Sequence, residues 1–489
     1  MLRLISVDLK KEKIETLVIP VCEDKKIHAD ALILAIIRKA KKLKEFNGEK
    51  DQTVTLYDLP EIKARRVVLH GLGKTAMLDA EALRAFAGKV VKNCIQKTLP
   101  ALWLAVPDKC PAKMPLSSIV TAMMEGACLG NHRFDRYRQE KKKKPLKSMY
   151  FIVDPASARK IKSPASRTAK ICQGTTLARE WISTPSNDKT PEQLTRMIVE
   201  QAKKQGLKTR VLREKQLQQQ KFGALLAVAA GSRSKPSMVI LEHRVAGAKN
   251  SVALVGKGVT FDSGGLNIKT GGSMSDMKSD MSGAAAVAAT LITAARLKTK
   301  VNLTGIIPIV ENMPSGTAIR PGDIIYSYAG KSIEIGNTDA EGRLILVDAL
   351  AYAVKKFKPQ LLVDMATLTG ACVVALGEKI AAVFSHDDKL AAAITAAGET
   401  THERCWRMPL PEDYKKLLKS DFADLNNISS TRWGGAITAA LFLSEFVGDT
   451  RWAHIDIAGP AYAKKENAYC GPGGTGFGVR LLTELIEKI

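Results

Sequence analysis

The residues best suited to chemistry lie in one short stretch, Gly336-Asn337-Thr338-Asp339-Ala340-Glu341-Gly342-Arg343-Leu344. Asp339 and Glu341 stand two residues apart, Arg343 follows two further on, and small residues lie between. Upstream, Lys257-Gly258-Val259-Thr260-Phe261-Asp262-Ser263-Gly264-Gly265 adds a carboxylate behind an apolar run, Ser251 to Val255, that reads as a buried strand. Lys269 and Asp280 follow. Acids gathered this closely repel and shift one another's pKa unless positive charge sits among them, and a pair of divalent cations is the economical source. Carboxylates are hard oxygen ligands, suited to Mg²⁺ or Mn²⁺ and acceptable to Zn²⁺. Two ions roughly 3.5–4 Å apart hold a water and a carbonyl or phosphoryl oxygen together, which is hydrolytic chemistry. None of the seven histidines falls in these motifs and H-E-x-x-H is absent, which argues against a mononuclear zinc protease. Any one acid is most simply a solvated side chain. Clustering after apolar runs, among glycines at 264, 265, 336 and 342 that allow close backbone approach, is what favours function.

The elements that must position these groups read as an α/β protein of two domains, the prior for a chain of 489 residues. A smaller N-terminal α/β domain spans 1–160, a linker helix 161–185, and a larger catalytic domain 186–489. In the first, apolar runs near Leu2–Val7, Thr16–Ile19, Val54–Tyr57, Val67–Leu69, Ala101–Val106 and Met149–Val153 predict strands, with helical periodicity between them. Thr190 and Pro191 predict a helix start. From Ser251 onward strands and helices alternate as expected of a mostly parallel central sheet flanked by helices. The acid-bearing loops follow strand-like runs, where ligands of such sheets usually sit.

Composition narrows the function classes. No apolar run reaches the length of a membrane span, and the first residues lack a signal peptide's apolar segment, so a cytoplasmic chain with no membrane partner is expected. Eight scattered cysteines without a C-x-x-C pair read as buried thiols. The net charge of +25 lies wholly in residues 1–250, with 49 Lys+Arg against 24 Asp+Glu; residues 251–489 balance at 25 against 25. A solvated basic face is the plainer reading, and nucleic-acid binding through the basic first half is the sharper one. The densest basic run, Lys141 to Lys144, is interrupted by Pro145 and reads as an exposed loop without interleaved stacking aromatics. Val67 to Thr75 imitates a phosphate-binding P-loop but has Val68 where a glycine is required, so it reads as a strand-to-helix turn.

Asn337-Thr338-Asp339-Ala340-Glu341-Gly342-Arg343-Leu344 resembles the signature of the cytosolic leucyl aminopeptidases. The resemblance extends, in order, through Val255 to Gly265, Asp276 to Met281, Pro314 to Asp323, Ala366 to Ala371 and Asp456 to Ala461, and covers roughly residues 165–489. It implies two divalent ions (Mn²⁺ or Zn²⁺) held by Lys257, Asp262, Asp280, Asp339 and Glu341, with Asp262 and Glu341 bridging. Lys257 must then ligate as a neutral amine. The resemblance further implies that Lys269 remains a cation polarising the scissile carbonyl, and that Arg343 holds a bicarbonate serving as general base. Met277, Thr367, Gly370 and Ala461 would line an apolar pocket for the substrate's first side chain, although Met277 is equally a core gap filler. Peptides with a free N-terminus would be the substrates, leucine and other apolar residues favoured, and the enzyme would be a homohexamer. A two-metal phosphoesterase is the enzymatic rival, weakened by the missing histidines.

Overall fold

Alternating apolar runs and amphipathic helices build a six-stranded and a nine-stranded sheet, with two small accessory sheets, in the computed structural model, which describes residues 2–109, 114–139 and 143–489. Cys110, Lys141 and Lys142 lie outside the described residues. The chain forms two units: Met1–Cys172 with Lys465–Gly471, and Gln173–Lys464 with Pro472–Ile489.

The first unit contains β1 (Leu2–Ile5), β2 (Ile14–Cys22), β3 (Thr53–Tyr57), β4 (Ala64–Gly73), β5 (Ala101–Ala105) and β6 (Ser148–Ile152). They form one sheet in the order β1-β6-β5-β2-β4-β3, parallel except for the edge strand β3, which runs antiparallel to β4. Its helices are α1 (Ala31–Lys41), α2 (Ala80–Gln96), α3 (Leu116–Gly130) and α4 (Pro155–Lys160), while α5 (Lys162–Ser183) runs on into the second unit. β2, Ile-Glu-Thr-Leu-Val-Ile-Pro-Val-Cys, is almost continuously apolar because helices cover both of its faces. Val18 packs with α2 and α3 on one face, and Leu17 and Ile19 pack with α1 on the other. The P-loop imitation is closed to phosphate: the Thr75 N–H and hydroxyl both donate to the Asp24 carboxylate, at 2.9 and 2.8 Å.

The second unit contains β7 (Lys208–Arg213), β8 (Ser237–His243), β9 (Ser251–Gly256), β10 (Gly258–Asp262), β11 (Asn302–Asn312), β12 (Ile324–Tyr326), β13 (Ser332–Glu334), β14 (Leu361–Ala366), β15 (Ala381–Phe384), β16 (Cys405–Arg407), β17 (Leu425–Asn426) and β18 (Trp452–Asp456). Its helices are α6 (Pro191–Lys204), α7 (Glu214–Gln219), α8 (Gly223–Ala229), α9 (Ser282–Leu297), α10 (Glu341–Phe357), α11 (Gly370–Leu376), α12 (Asp388–Thr401), α13 (Gly435–Ser444) and α14 (Val479–Lys488). The main sheet runs β16-β15-β18-β14-β9-β11-β8-β7, with β10 also paired to β11. Its centre is parallel, as the sequence predicts, but the β15–β18, β11–β8 and β8–β7 pairs are antiparallel. Helices α6, α9, α12 and α14 pack in one core layer and α8, α10 and α13 in the other. Alanine-rich α9 is buried through its first three turns because its small side chains let it lie directly on the sheet. A capping box of Thr190 and Gln193 opens α6. Among the described residues, no helix is long and apolar enough to cross a membrane.

Two boundaries differ from the sequence reading. Asp262 ends a short strand, β10, and Glu341, Gly342 and Arg343 form the first turn of α10 instead of the loop before it. An acid in a helix's first turn is favoured by the backbone N–H groups exposed there.

Candidate metal centre

Lys257 occupies the break between β9 and β10, where its N–H donates to the Met365 carbonyl at 3.1 Å. Its ammonium lies 2.9 Å from Asp280 Oδ1, 2.9 Å from Glu341 Oε1 and 2.8 Å from the Thr367 carbonyl. Asp262 Oδ1 accepts from the Gly264 N–H and from Asn312 Nδ2, each at 2.9 Å, and its Oδ2 faces Lys269 Nζ at 2.9 Å. Lys269 makes a second ion pair, 2.5 Å to Asp339 Oδ1. Gly264 and Gly265 take φ of 87° and 64°, left-handed values that turn the chain so that the Lys269 N–H reaches the Ser263 carbonyl at 2.8 Å. Asp280 follows the 3₁₀ segment Gly271–Ser279, and Thr367 Oγ1 donates to its Oδ1 at 2.8 Å.

One ligand oxygen from each of Asp262, Asp280 and Glu341 lies within 4.8 Å of the others, and all three residues are buried. Burial, reinforced by the Asp262 charge, pushes Glu341 up to about 8 and Asp280 up to about 6; Asp339 is raised for the same reasons. Burial alone would depress the lysines. The surrounding carboxylates outweigh it, Asp280 and Glu341 at Lys257 and Asp262 at Lys269, so both amines are held above the ordinary lysine value. Asp280 Oδ2 is buried without a hydrogen-bond partner, and Asp339 Oδ1 and Glu341 Oε1 meet only lysine ammonium groups. Hard oxygens this close, one of them unpartnered, fit divalent cations. The two ammonium groups stand in for that positive charge.

Arg343 is buried in the first turn of α10; its Nη1 donates to the Asn427 carbonyl at 2.8 Å and its Nε has no partner. Burial lowers its pKa to about 10. Thr367 is therefore in direct contact with the cluster. Gly370 opens α11 three residues later, with open space where a side chain would be. Met277 is half-buried on the 3₁₀ segment before Asp280. Ala461 is fully enclosed in the main core.

Three residues that hold the site were given no role by the sequence reading, although Asp456 opens one of the stretches that carry the resemblance. Asn312, ending β11, ties Asp262 to the Thr338 carbonyl at 2.9 and 3.1 Å. Asn427 binds the Gly336 and Asn337 N–H groups through Oδ1 and the Asn337 carbonyl through Nδ2. Asp456 accepts from the Leu368 N–H, the Ala458 N–H and the Thr369 hydroxyl, fixing the turn that carries Thr367. No motif marks Asn312 or Asn427, and both act on backbone distant in sequence.

The catalytic-domain model of the cytosol aminopeptidase family matches residues 176–483, and that family's N-terminal-domain model matches residues 18–141. The chain belongs to the cytosol aminopeptidase family. It is 46% identical to the probable cytosol aminopeptidase of Syntrophotalea carbinolica over 91% of this chain and 90% of that one. The corresponding protein of Geobacter sp. (strain M21) is 42% identical over 94% and 93%. A solved structure described as bottromycin maturation enzyme BotP in complex with Mn superposes with a TM-score of 0.87 at 34% identity, covering 97% of this chain and 99% of that one. As a cytosol aminopeptidase family member the chain is an aminopeptidase, a hydrolase, and the family is metal-dependent.

Proposed function

We propose that this aminopeptidase releases leucine and other apolar first residues from peptides at a centre of two divalent cations, Mn²⁺ or Zn²⁺. The observation that carries the reading is the buried Asp262, Asp280 and Glu341 trio with ligand oxygens within 4.8 Å. Those three, with Lys257 and Asp339, would hold the ions, which when bound supply Lewis acidity and a water acidic enough to ionise near neutral pH. Lys269, already gripped by Asp262 and Asp339, keeps a positive charge where a peptide carbonyl gathers negative charge. The unpartnered Arg343 Nε suits a small planar anion such as bicarbonate as proton acceptor. Met277, Thr367, Gly370 and Ala461 remain the proposed wall of the side-chain pocket.

The enzyme is read as cytoplasmic and homohexameric. Exposed Trp406, Phe422 and Trp433 on the catalytic unit support burial against further copies. The basic first half is offered as a second, nucleic-acid-binding surface, testable by duplex affinity that falls steeply with salt. For the central reading, chelated protein is refilled with Mn²⁺, Zn²⁺ or Co²⁺ and assayed on Leu-p-nitroanilide and p-nitrophenyl phosphate. Recovery of amide hydrolysis alone supports it; turnover of only the phosphate ends it.

A further inference from the structure

The turn between α5 and α6, Thr184-Pro185-Ser186-Asn187-Asp188-Lys189-Thr190, coils into a single 3₁₀ turn at Ser186–Asp188. The Asp188 N–H donates to the Pro185 carbonyl at 3.0 Å and the Lys189 N–H to the Ser186 carbonyl at 3.1 Å. Thr190 then enters the capping box of α6, so the turn is fixed at its far end. Lys189 is fully buried. Its amine donates to the Trp181 and Ile182 carbonyls, at 2.8 and 3.0 Å, in the last turn of α5, where helix carbonyls lack partners of their own. A further bond, at 2.7 Å, goes to the Lys278 carbonyl, and Met281 Sδ lies 3.3 Å from the same nitrogen. An apolar side chain of similar volume would avoid the cost of burying an amine, so what the lysine adds is the link between these segments.

The linked segments are those that carry the acids. Lys278 stands two residues before Asp280 and Met281 one after it, so Lys189 touches the chain on both sides of that carboxylate. Three residues earlier on the same turn, Ser186 Oγ donates to the Thr260 carbonyl at 2.7 Å, and Thr260 stands two residues before Asp262. Thr260 lies where β10 shifts register against β11, between Val259 and Asp262, so the regular strand ladder is interrupted there. One short turn therefore grips the backbone two residues upstream of two of the three acids whose oxygens lie within 4.8 Å.

We propose that the α5–α6 turn is a bracket that sets the spacing of Asp262 and Asp280 for the cations, with Ser186 and Lys189 as its positioning residues; the inference rests on the two-cation reading above. Neither side chain bonds to an acid. Each acts through the backbone that leads into one. Cation binding depends on where the ligand oxygens are held, and removing an outer support of this kind costs about 10–100-fold in metal affinity.

Calorimetric titration of Mn²⁺ into the full-length, EDTA-treated protein tests the assignment, with folding of each variant checked by circular dichroism. Ser186→Ala and Lys189→Met should each weaken Mn²⁺ binding at least about tenfold. Ser186→Thr, which keeps the hydroxyl, should bind as the unaltered protein does. Leu217→Ala truncates a buried side chain of α7, which packs on α8, β7 and β8; it destabilises the fold elsewhere and should leave Mn²⁺ affinity unchanged. Should Lys189→Met fail to fold, Ser186→Ala decides. Undiminished affinity in either folded variant overturns the proposal. Equal weakening in Ser186→Thr or Leu217→Ala overturns it as well, because general loosening would then account for the loss. Failure of the unaltered protein to take up any Mn²⁺ would end the two-cation reading, and the bracket with it.

Discussion

Gly342→Ala tests whether the Lys257 amine must stand where the structure puts it. Gly342 is the second residue of α10, and a methyl group there would sit 2.5 Å from Lys257 Cε, 2.6 Å from Nζ and 2.9 Å from Cδ. Ordinary contact between such atoms is about 3.5–4.0 Å, so the end of the lysine must shift by roughly 1 Å. It has little freedom to do so. Nζ is held at 2.9, 2.9 and 2.8 Å by Asp280, Glu341 and the Thr367 carbonyl, and the side chain is buried. A shift of that size carries these contacts beyond hydrogen-bonding range. The fold should survive, because alanine gains about 1 kcal/mol over glycine in a helix, offsetting part of the lost polar contacts at about 1.5–3 kcal/mol each. Catalysis should not, since misplacing an active-site group by about 1 Å costs on the order of 100-fold. Initial rates on Leu-p-nitroanilide with saturating Mn²⁺, bound metal by elemental analysis, and thermal unfolding separate the effects. Gly272→Ala is the control, because its methyl group would meet nothing within 4 Å. A folded Gly342→Ala enzyme with wild-type rate and metal content would refute the reasoning.

Glu341→Ala should leave a folded protein whose metal content and hydrolysis are lost together, measured by circular dichroism, elemental analysis and rate; activity retained in step with stability would make the cluster merely structural. Asp348 is fully buried, and burial raises its carboxyl to about 7 although the Leu225 and Tyr328 N–H groups bond to it. The folded state therefore keeps a proton that the unfolded chain releases near its ordinary value, so stability is greatest at acid pH and falls as pH rises through about 7. The loss approaches an order of 4 kcal/mol by pH 8; urea unfolding from pH 5 to 8 should show a slope that Asp348→Asn lacks, and parallel slopes would disprove it. Asp456→Asn replaces one acceptor of the Leu368, Thr369 and Ala458 bonds with a donor. It should lower kcat about tenfold or more by loosening the Thr367 turn, with thermal unfolding little changed. The buried Lys189 amine donates to the Trp181, Ile182 and Lys278 carbonyls, so Lys189→Met should cost roughly 3 kcal/mol or more in chemical unfolding.

The clustered acids were legible because they stand inside short, contiguous, glycine-marked segments. Asp339 and Glu341 could be paired on spacing alone, and the apolar run before Lys257 announced a strand. The supports were not legible, and the reason is physical. Asn312 and Asn427 satisfy backbone groups 26 and about 90 residues away, so nothing adjacent in the chain distinguishes them from surface amides. Lys189 looks like any solvated lysine until the Trp181 and Ile182 carbonyls at the end of α5 and the Lys278 carbonyl, 89 residues on, close around it. β10 was hidden for another reason: its pairing to β11 shifts register between Val259 and Asp262, an irregularity that periodicity does not express. The return of Lys465–Gly471 to the first unit likewise has no local signature.

Charge balance links the legible part to the hidden part. Asp262, Asp280, Asp339 and Glu341 face only two lysines, so full ionisation would leave two uncompensated negative charges in a largely buried place. The protein without cations answers by drawing protons onto Glu341 and Asp280, whose raised pKa values express that deficit. A purely structural cluster could have removed the deficit with one more arginine or one fewer acid. The proposed pair of cations would remove the deficit, and Asn312, Asn427 and Asp456 hold the surrounding backbone in place for it. The same logic places Lys257 at the break between two strands. There its backbone N–H is fixed by Met365 while its amine reaches Asp280, Glu341 and the Thr367 carbonyl.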